Sequence, residues 1–284
     1  MNRTDIRLIA LDLDGTLMDS DKRFPEINCR DLQKCERAGI HVCLVSGRSF
    51  ELMRGFAREL GIRPMFAASN GARIEQGIDG PKIEEHSFDV ASAQRVLDTL
   101  ERSGLYFNYY TRGRCYMGNA EMKAALGARY DHHVPGIVGD APYTYETICD
   151  RERLHTDIAR GVYKFVAMGD PYDARFEGLR RTLADMNLSV SSASTRNIEF
   201  MPTGVDKAYA LRTLCTAAGM EPDHVMAFGD QTNDLPMLDI CAWPVAMANG
   251  EDIVKRRARI IAPDHNIGGV GLTIQKYILG DENI

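Results

Sequence analysis

The chain lacks any apolar run near the roughly 20 residues needed to span a bilayer, and its first apolar stretch, residues 6–13, is already broken by Asp12. Residues 1–5 are short and polar, so a secretory leader is not expected and a cytoplasmic location is. Positive charge is also in deficit: 34 Lys and Arg stand against 40 Asp and Glu, a net charge of −6. General nucleic-acid binding needs a basic surface that displaces counterions from phosphates, so neither nucleic acid nor membrane is an expected partner. A small anionic substrate stays open, because a local metal ion overrides the global sign. The seven cysteines (29, 35, 43, 115, 149, 215 and 241) are odd in number, scattered and without a C-x-x-C pair. Several lie inside apolar patterns, where a reduced thiol behaves as a small hydrophobe, so no disulfide framework is expected. Internal repeats and low-complexity tracts are absent.

What is present is a chain of 284 residues, 44% hydrophobic, enough for one large folded unit or two smaller ones. The first part alternates strand and helix. Residues 8–13 form an apolar run ending in Asp-Gly-Thr, and Ile27, Leu32, Cys35 and Ala38 fall at near-helical spacing before Gly39. A strand at 40–45, a helix over 50–60 closed by Gly61, and a strand at 65–68 follow. These spacings predict a parallel sheet covered on both faces. The pattern changes at the Gly-rich turn 77–81. A helix over 90–100 leads to aromatic strands at 105–111 and 115–117, a strand at 162–168, a helix over 174–186 and a hairpin at 188–192 and 197–201. Residues 118–152 are poorly periodic. From Asp206 the first style returns, with a helix over 206–218, a strand at 225–228, a helix over 235–240 and a last helix over 271–279. The expected fold class is α/β: a Rossmann-like parallel-sheet core, discontinuous in sequence (1–82 and 192–284), interrupted by an inserted α+β domain (83–191).

Four patches carry chemistry. Asp12-Leu13-Asp14-Gly15-Thr16 ends the first strand, where open α/β sheets place their sites, and its two carboxylates are expected to face different sides. By itself it also fits an acidic turn or a calcium-loop fragment. Ser46-Gly47-Arg48 offers a hydroxyl, backbone N–H groups and a guanidinium to an anion, although a plain Ser-Gly loop reads the same. Asp206-Lys207 opens a helix, where a lysine is ordinarily solvated. Gly229-Asp230-Gln231-Thr232-Asn233-Asp234 follows an apolar strand with a hard-cation composition suited to Mg²⁺, or else caps the next helix.

Taken together and in this order, the four patches resemble the haloacid dehalogenase superfamily, specifically over residues 7–73 and 199–249. The large insert, Ser69-Asn70-Gly71-Ala72 and Val245-Ala246-Met247-Ala248-Asn249 are similar to its Cof-type branch. Ser46 stands where threonine is commoner, and Ala208 where glycine is frequent. The resemblance implies a Mg²⁺-dependent phosphatase for a small phosphorylated metabolite, such as a sugar phosphate or a phosphorylated cofactor. Asp12 is then the nucleophile that forms an aspartyl-phosphate, and Asp14 the acid and base, with its pKa raised toward neutrality. Asp12, the main-chain carbonyl of Asp14 and Asp230 hold Mg²⁺. Ser46, Gly47, Arg48, Lys207 and Asn233 hold phosphate, and Thr16, Asn70 and Asp234 support them. A phosphomutase, or a phospho-accepting receiver module, shares part of this set; Asp14 favours hydrolysis over the latter. His132, His133 and His155 are expected to be structural or solvated. In the insert, alternation puts Leu105, Phe107 and Tyr109 on a row facing helices. Tyr106, Asn108, Tyr110 and Arg112 form the other row, from which Asn108, Tyr110 and Arg112 are candidates for reading the leaving group.

Overall fold

In the computed structural model, residues 5–118, 144–147, 151–170, 172–192 and 194–280 are described. Two sheets organise them. The first has eight strands: β1 (Leu8–Leu11), β2 (His41–Val45), β3 (Met65–Ala68), β4 (Arg73–Glu75), β5 (Lys82–Glu85), β12 (Val225–Gly229), β13 (Trp243–Met247) and β14 (Ile260–Ala262). Their order is β14-β13-β12-β1-β2-β3-β4-β5, parallel from β14 to β3 and antiparallel at β4 and β5. The chain therefore works outward from β1 in one direction and from β12 in the other. The β1–β12 border is the point at which strand order reverses, where such sheets open a crevice at their carboxyl ends.

Both faces of this sheet are covered, which is why its strands read as continuous apolar runs. Ile9, Leu11, Val42, Leu44 and Phe66 pack with the helices Glu26–Arg37, Phe50–Leu60 and Gly269–Ile274. Leu8, Ala10, Cys43, Val45 and Met65 pack with Lys207–Ala217, Leu235–Ile240 and Asp252–Arg257. The helix Phe50–Leu60 shows how local signals set its ends: the Ser49 hydroxyl accepts from Leu52 N, and Gly61 stops it in the left-handed conformation. The last helix runs Gly269–Ile274 and continues as a π-helical turn over Gln275–Leu279.

The second sheet comprises β6 (Tyr106–Thr111), β7 (Arg114–Met117), β8 (Thr144–Thr147), β9 (Lys164–Met168), β10 (Ser189–Ser191) and β11 (Asn197–Met201), in the order β10-β11-β9-β6-β7-β8. All pairs are antiparallel except β7–β8. One face is covered by the helices Val90–Ser103, Arg151–Arg160 and Ala174–Ala184, against which Leu105, Phe107 and Tyr109 pack. The opposite face looks onto the first sheet: Tyr110 and Cys115 pack with that sheet's core cluster. β11 belongs to this second sheet, so the return to the first lies beyond Met201, not at residue 192. The hairpin β10–β11 cannot be split, because its backbone groups pair with each other and with β9.

The chain crosses between the sheets twice, after Glu85 and after Met201. At these crossings His86 Nε2 lies 2.7 Å from the Tyr209 hydroxyl, and Ala72, Tyr163, Met201 and Val205 form a small buried cluster. No helix among the described residues is long and apolar enough to cross a membrane.

Phe66 is fully buried on β3, edge-on to Phe50 at 5.4 Å, whereas Ile261 on β14 is 51% exposed. Phe66→Ala is expected to cost about 3–5 kcal/mol in denaturant unfolding, and Ile261→Ala to stay within about 0.5 kcal/mol. Similar losses for both would contradict this assignment of the core.

Candidate active site

Every patch singled out in the sequence lies at a carboxyl end of the first sheet. The registers Leu11↔Leu44 and Leu11↔Phe228 put the loops after β1, β2 and β12 side by side. Asp12, Asp230 and Asp234 thereby come within 4.8 Å of one another, all buried. Lys207, at the start of its helix and fully buried, donates to Asp12 Oδ1 and Asp234 Oδ1, both at 2.6 Å. The lysine expected to be solvated as an isolated feature is thus the central cation. Asp234 is tied further through Oδ2, which accepts from the backbone N–H of Asp230 (2.8 Å) and Gln231 (3.1 Å). Thr16 Oγ1 donates to Asp230 Oδ1 at 2.9 Å. Gly15 is required here: its φ is +80°, and a Cβ would stand 2.3 Å from Asp230 Oδ2.

Burial first, then the neighbouring acids, push the Asp12 carboxyl up to about 7 against the pull of Lys207. Burial and the charges of Asp12 and Asp234 push Asp230 up to about 8. Burial alone would lower Lys207, but its two carboxylate partners outweigh it and raise its pKa. Three acids facing one ammonium leave an excess of negative charge on hard oxygen donors, which a divalent cation such as Mg²⁺ fits.

Asp14 points elsewhere: side chains two apart on an extended chain share a face, so its divergence from Asp12 comes from the chain leaving the strand after Leu11 and turning at Gly15. Arg48 grips it through Nε–Oδ2 and Nη2–Oδ1, both 2.6 Å, and Lys22 Nζ reaches Oδ1 at 2.6 Å. Burial would raise its pKa, but the Arg48 and Lys22 charges prevail and hold it well below the usual carboxylate range. This reverses the expectation of a value near neutrality. It also corrects Arg48, whose guanidinium engages Asp14 in place of an open anion site. Nothing in the sequence pointed to Lys22, a buried residue with φ +64°.

Ser46 and Asn233 are buried beside this group. Asn70, nearly fully buried, follows β3 in a turn whose Ser69 and Asn70 both have positive φ. That turn braces the loop after β2: Ser69 N donates to Arg48 O at 2.8 Å and Asn70 N to Ser46 O at 2.9 Å. Asn249, after β13, donates through Nδ2 to Gly15 O at 2.8 Å. A cavity of about 360 Å³ opens over Lys207, Asn233 and Asn70 and is closed on the other side by Ser189, Ser191 and Arg180 of the insert.

In the insert, Asn108 is buried and Tyr110 half-buried on the face toward the core, but Arg112 falls in the turn after Thr111 and is exposed. His155 is exposed, and His132 and His133 lie outside the described residues. Two residues the sequence reading passed over are Lys164 and Glu199. Each is a buried charge inside an otherwise apolar strand, Tyr163-Lys164-Phe165 and Ile198-Glu199-Phe200, and that interruption was the available signal.

Because Asp12 and Asp230 ordinarily titrate near 3.8, the metal-free folded chain retains protons from about pH 4 to 8 that the unfolded chain has released. Their contribution to stability therefore falls as pH rises through that window, while Asp14's, with its lowered pKa, is lost only on acidification below about pH 4. A cation replacing the lost protons should raise Tm more at pH 8 than at pH 5. An equal Mg²⁺-induced shift at both pH values would remove the metal from Asp12 and Asp230.

Residues 9–274 match the family model of the haloacid dehalogenase-like hydrolases. The 5-amino-6-(5-phospho-D-ribitylamino)uracil phosphatase YcsE of Bacillus subtilis is 26% identical over 275 residues, covering 97% of each chain. The pyridoxal phosphate phosphatase YbhA of Escherichia coli is 22% identical over 282 residues, covering 96% of this chain and 99% of its own. A solved haloacid dehalogenase-like hydrolase from B. subtilis superposes with a TM-score of 0.82 at 22% identity, covering 95% of this chain and 99% of that one. With the family model spanning nearly the whole chain and the four patches gathered at one sheet end, the protein is an enzyme of the haloacid dehalogenase-like hydrolase family.

Proposed function

We propose that this hydrolase is a Mg²⁺-dependent phosphatase that cleaves a small phosphorylated metabolite, a sugar phosphate or a phosphorylated cofactor, through an aspartyl-phosphate on Asp12. The observation that carries the reading is Asp12 itself: a buried carboxylate at the end of β1, held by Lys207 and set against Asp230. The names of the two relatives, one a phosphatase of a phosphoribitylamino-uracil and the other of pyridoxal phosphate, support the substrate class.

Hydrolysis of phosphate monoesters is among the slowest uncatalysed reactions, and most of its catalysis is positioning and charge neutralisation. A carboxylate of Asp12 attacks phosphorus in line; the Asp12 O–P bond forms as the ester P–O bond breaks, and the leaving oxygen takes a proton from Asp14. Water then attacks the aspartyl-phosphate, its proton passing to Asp14 as the Asp12 O–P bond breaks. The carboxylates of Asp12 and Asp230 and the carbonyl of Asp14 would hold Mg²⁺, whose positive charge would offset repulsion between Asp12 and the phosphate. Lys207 fixes the nucleophile and adds a second positive charge, Asp234 orients Lys207, and Ser46, Gly47 and Asn233 hold phosphoryl oxygens. Held by Arg48 and Lys22, Asp14 is in its carboxylate form, the one the second step uses; for the first step the substrate must loosen that grip so that Asp14 takes up a proton from solvent, which it then passes to the leaving oxygen.

Mg²⁺-dependent multiple-turnover release of phosphate from p-nitrophenyl phosphate tests the reading. Asp12→Asn should abolish turnover, and Asp230→Ala should raise the Mg²⁺ requirement steeply or abolish activity. Full activity in chelator-treated protein without added metal would falsify the scheme. Asp14→Asn should lower kcat/KM, which reports the first step, more for an alkyl phosphate than for the nitrophenyl ester, whose leaving group departs without a proton; an equal loss in kcat/KM would remove Asp14 from protonating the leaving group.

A further inference from the structure

The insert faces the cavity over Lys207 with one edge of its sheet. β10 is the end strand of that sheet, and Ser189, Ser191 and Ser192 line the cavity opposite Lys207, Thr232 and Asn233 of the core. Asn108, Tyr110 and Arg112 do not line it. Neither do Lys164 and Glu199, the buried charges on the same face, which engage each other at 3.0 Å and contact Gly47 O and Asn70 Nδ2.

A charged side chain does line it from the other side of the insert. Arg180 belongs to the helix Ala174–Ala184 on the far face of the sheet, where Phe176, Leu179 and Leu183 form the buried stripe. At 3.6 residues per turn Arg180 stands about 100° around the helix from Leu179, off that stripe, and its guanidinium reaches round the open edge at β10 into the cavity. Nη2 donates to Ser192 Oγ at 3.4 Å, a long bond, and Ser192 O accepts from Thr232 Oγ1 at 3.2 Å, in the loop after β12. Among the described residues this is the single hydrogen bond of a group with five N–H donors, and no carboxylate pairs with it. Asp206, the acid that lines the cavity, is turned onto its own helix, where Oδ1 accepts from Tyr209 N at 2.7 Å.

The cavity therefore carries a cation at each end, Lys207 against the nucleophile and Arg180 at the mouth, with serine and threonine hydroxyls between them. Its volume, about 360 Å³, lies at the low end of the roughly 300–1,000 Å³ common for small-molecule sites, so an occupant that touches both ends is short. We propose that Arg180 is a specificity-determining residue that binds a second anionic group, a carboxylate or a phosphate, on a small leaving group whose phosphoester lies at Asp12. A guanidinium presents paired N–H donors that match the oxygens of either anion, and the neighbouring serine hydroxyls can donate to the same group. The inference rests on the phosphatase reading and narrows its substrate class, but it can fail separately from it.

The test compares 3-phosphoglycerate and glycerol 1,3-bisphosphate with glycerol 3-phosphate, which has the same three-carbon skeleton and a hydroxyl in place of the second anion. In wild-type protein at least one of the first two should exceed glycerol 3-phosphate in kcat/KM by about tenfold or more, and which one does so tells whether a carboxylate or a phosphate is read. Arg180→Gln should bring that ratio toward unity by lowering the value for the preferred ester, and intrinsic reactivities of the esters cancel in the comparison with wild type. Wild-type ratios near one for both esters overturn the proposal without any variant. A preference that persists in Arg180→Gln overturns it by assigning the second anion to another group. Equal losses on all three esters overturn it too, reducing Arg180 to a brace for the β10 edge. If none of the three esters nor nitrophenyl phosphate yields phosphate, the phosphatase reading itself has failed.

Discussion

Lys207 sits without solvent exposure between Asp12 and Asp234, its ammonium nitrogen 2.6 Å from an oxygen of each. Taking ions out of water costs several kcal/mol apiece, and a buried pair is compatible with folding only when its geometry is good and its remaining groups are bonded. That condition explains much of the surrounding architecture. Asp234 must collect two backbone N–H groups on its second oxygen, so the loop after β12 has to turn tightly, and a Cβ on Gly229 would stand 2.4 Å from Asp234 Cβ. Asp230 is brought in by the same turn and anchored by Thr16, which binds the loop after β1 to the loop after β12. The concentration of acid that results is costly for the metal-free fold and is what makes the place attractive to a cation.

A second electrostatic arrangement sits beside the first with the opposite sign. Asp14, only two residues from Asp12, is gripped by the cations Arg48 and Lys22, where Asp12 shares its one cation, Lys207, with the neighbouring acid Asp234. Burial pushes both carboxyls in the same direction, so the divergence comes from their charged neighbours. Two acids of one short motif are thereby separated in proton affinity, a condition for assigning them different tasks in one reaction.

Much of this was legible in the sequence because it depends on local pattern. Residues 8–11 and 225–229 are apolar runs ending in polar, oxygen-rich loops, and any parallel sheet brings such ends to one side. The helix boundaries at Ser49, Gly61 and Asp206 were likewise written in capping residues. What was not legible depends on partners distant in the chain. Arg48 meets Asp14 across 34 positions and Lys164 meets Gly47 across 117, and neither side of either pair carries a mark of the other. The rows of β6 followed from alternation, yet Arg112 was counted one residue too far, into the turn that ends the strand. β11 was readable as half of a hairpin, but its sheet is set by pairing with β9, which no local pattern encodes.

The two crossings between the sheets lie next to each other, joined by the contact of His86 with Tyr209 and by the cluster of Ala72, Tyr163, Met201 and Val205. A segment that leaves and re-enters a fold through neighbouring points asks little of its host, because the distance the host must bridge is short whatever the segment contains. A change in the length or content of the insert then leaves the acid cluster in register, because the core is asked only to hold two neighbouring points of its surface together.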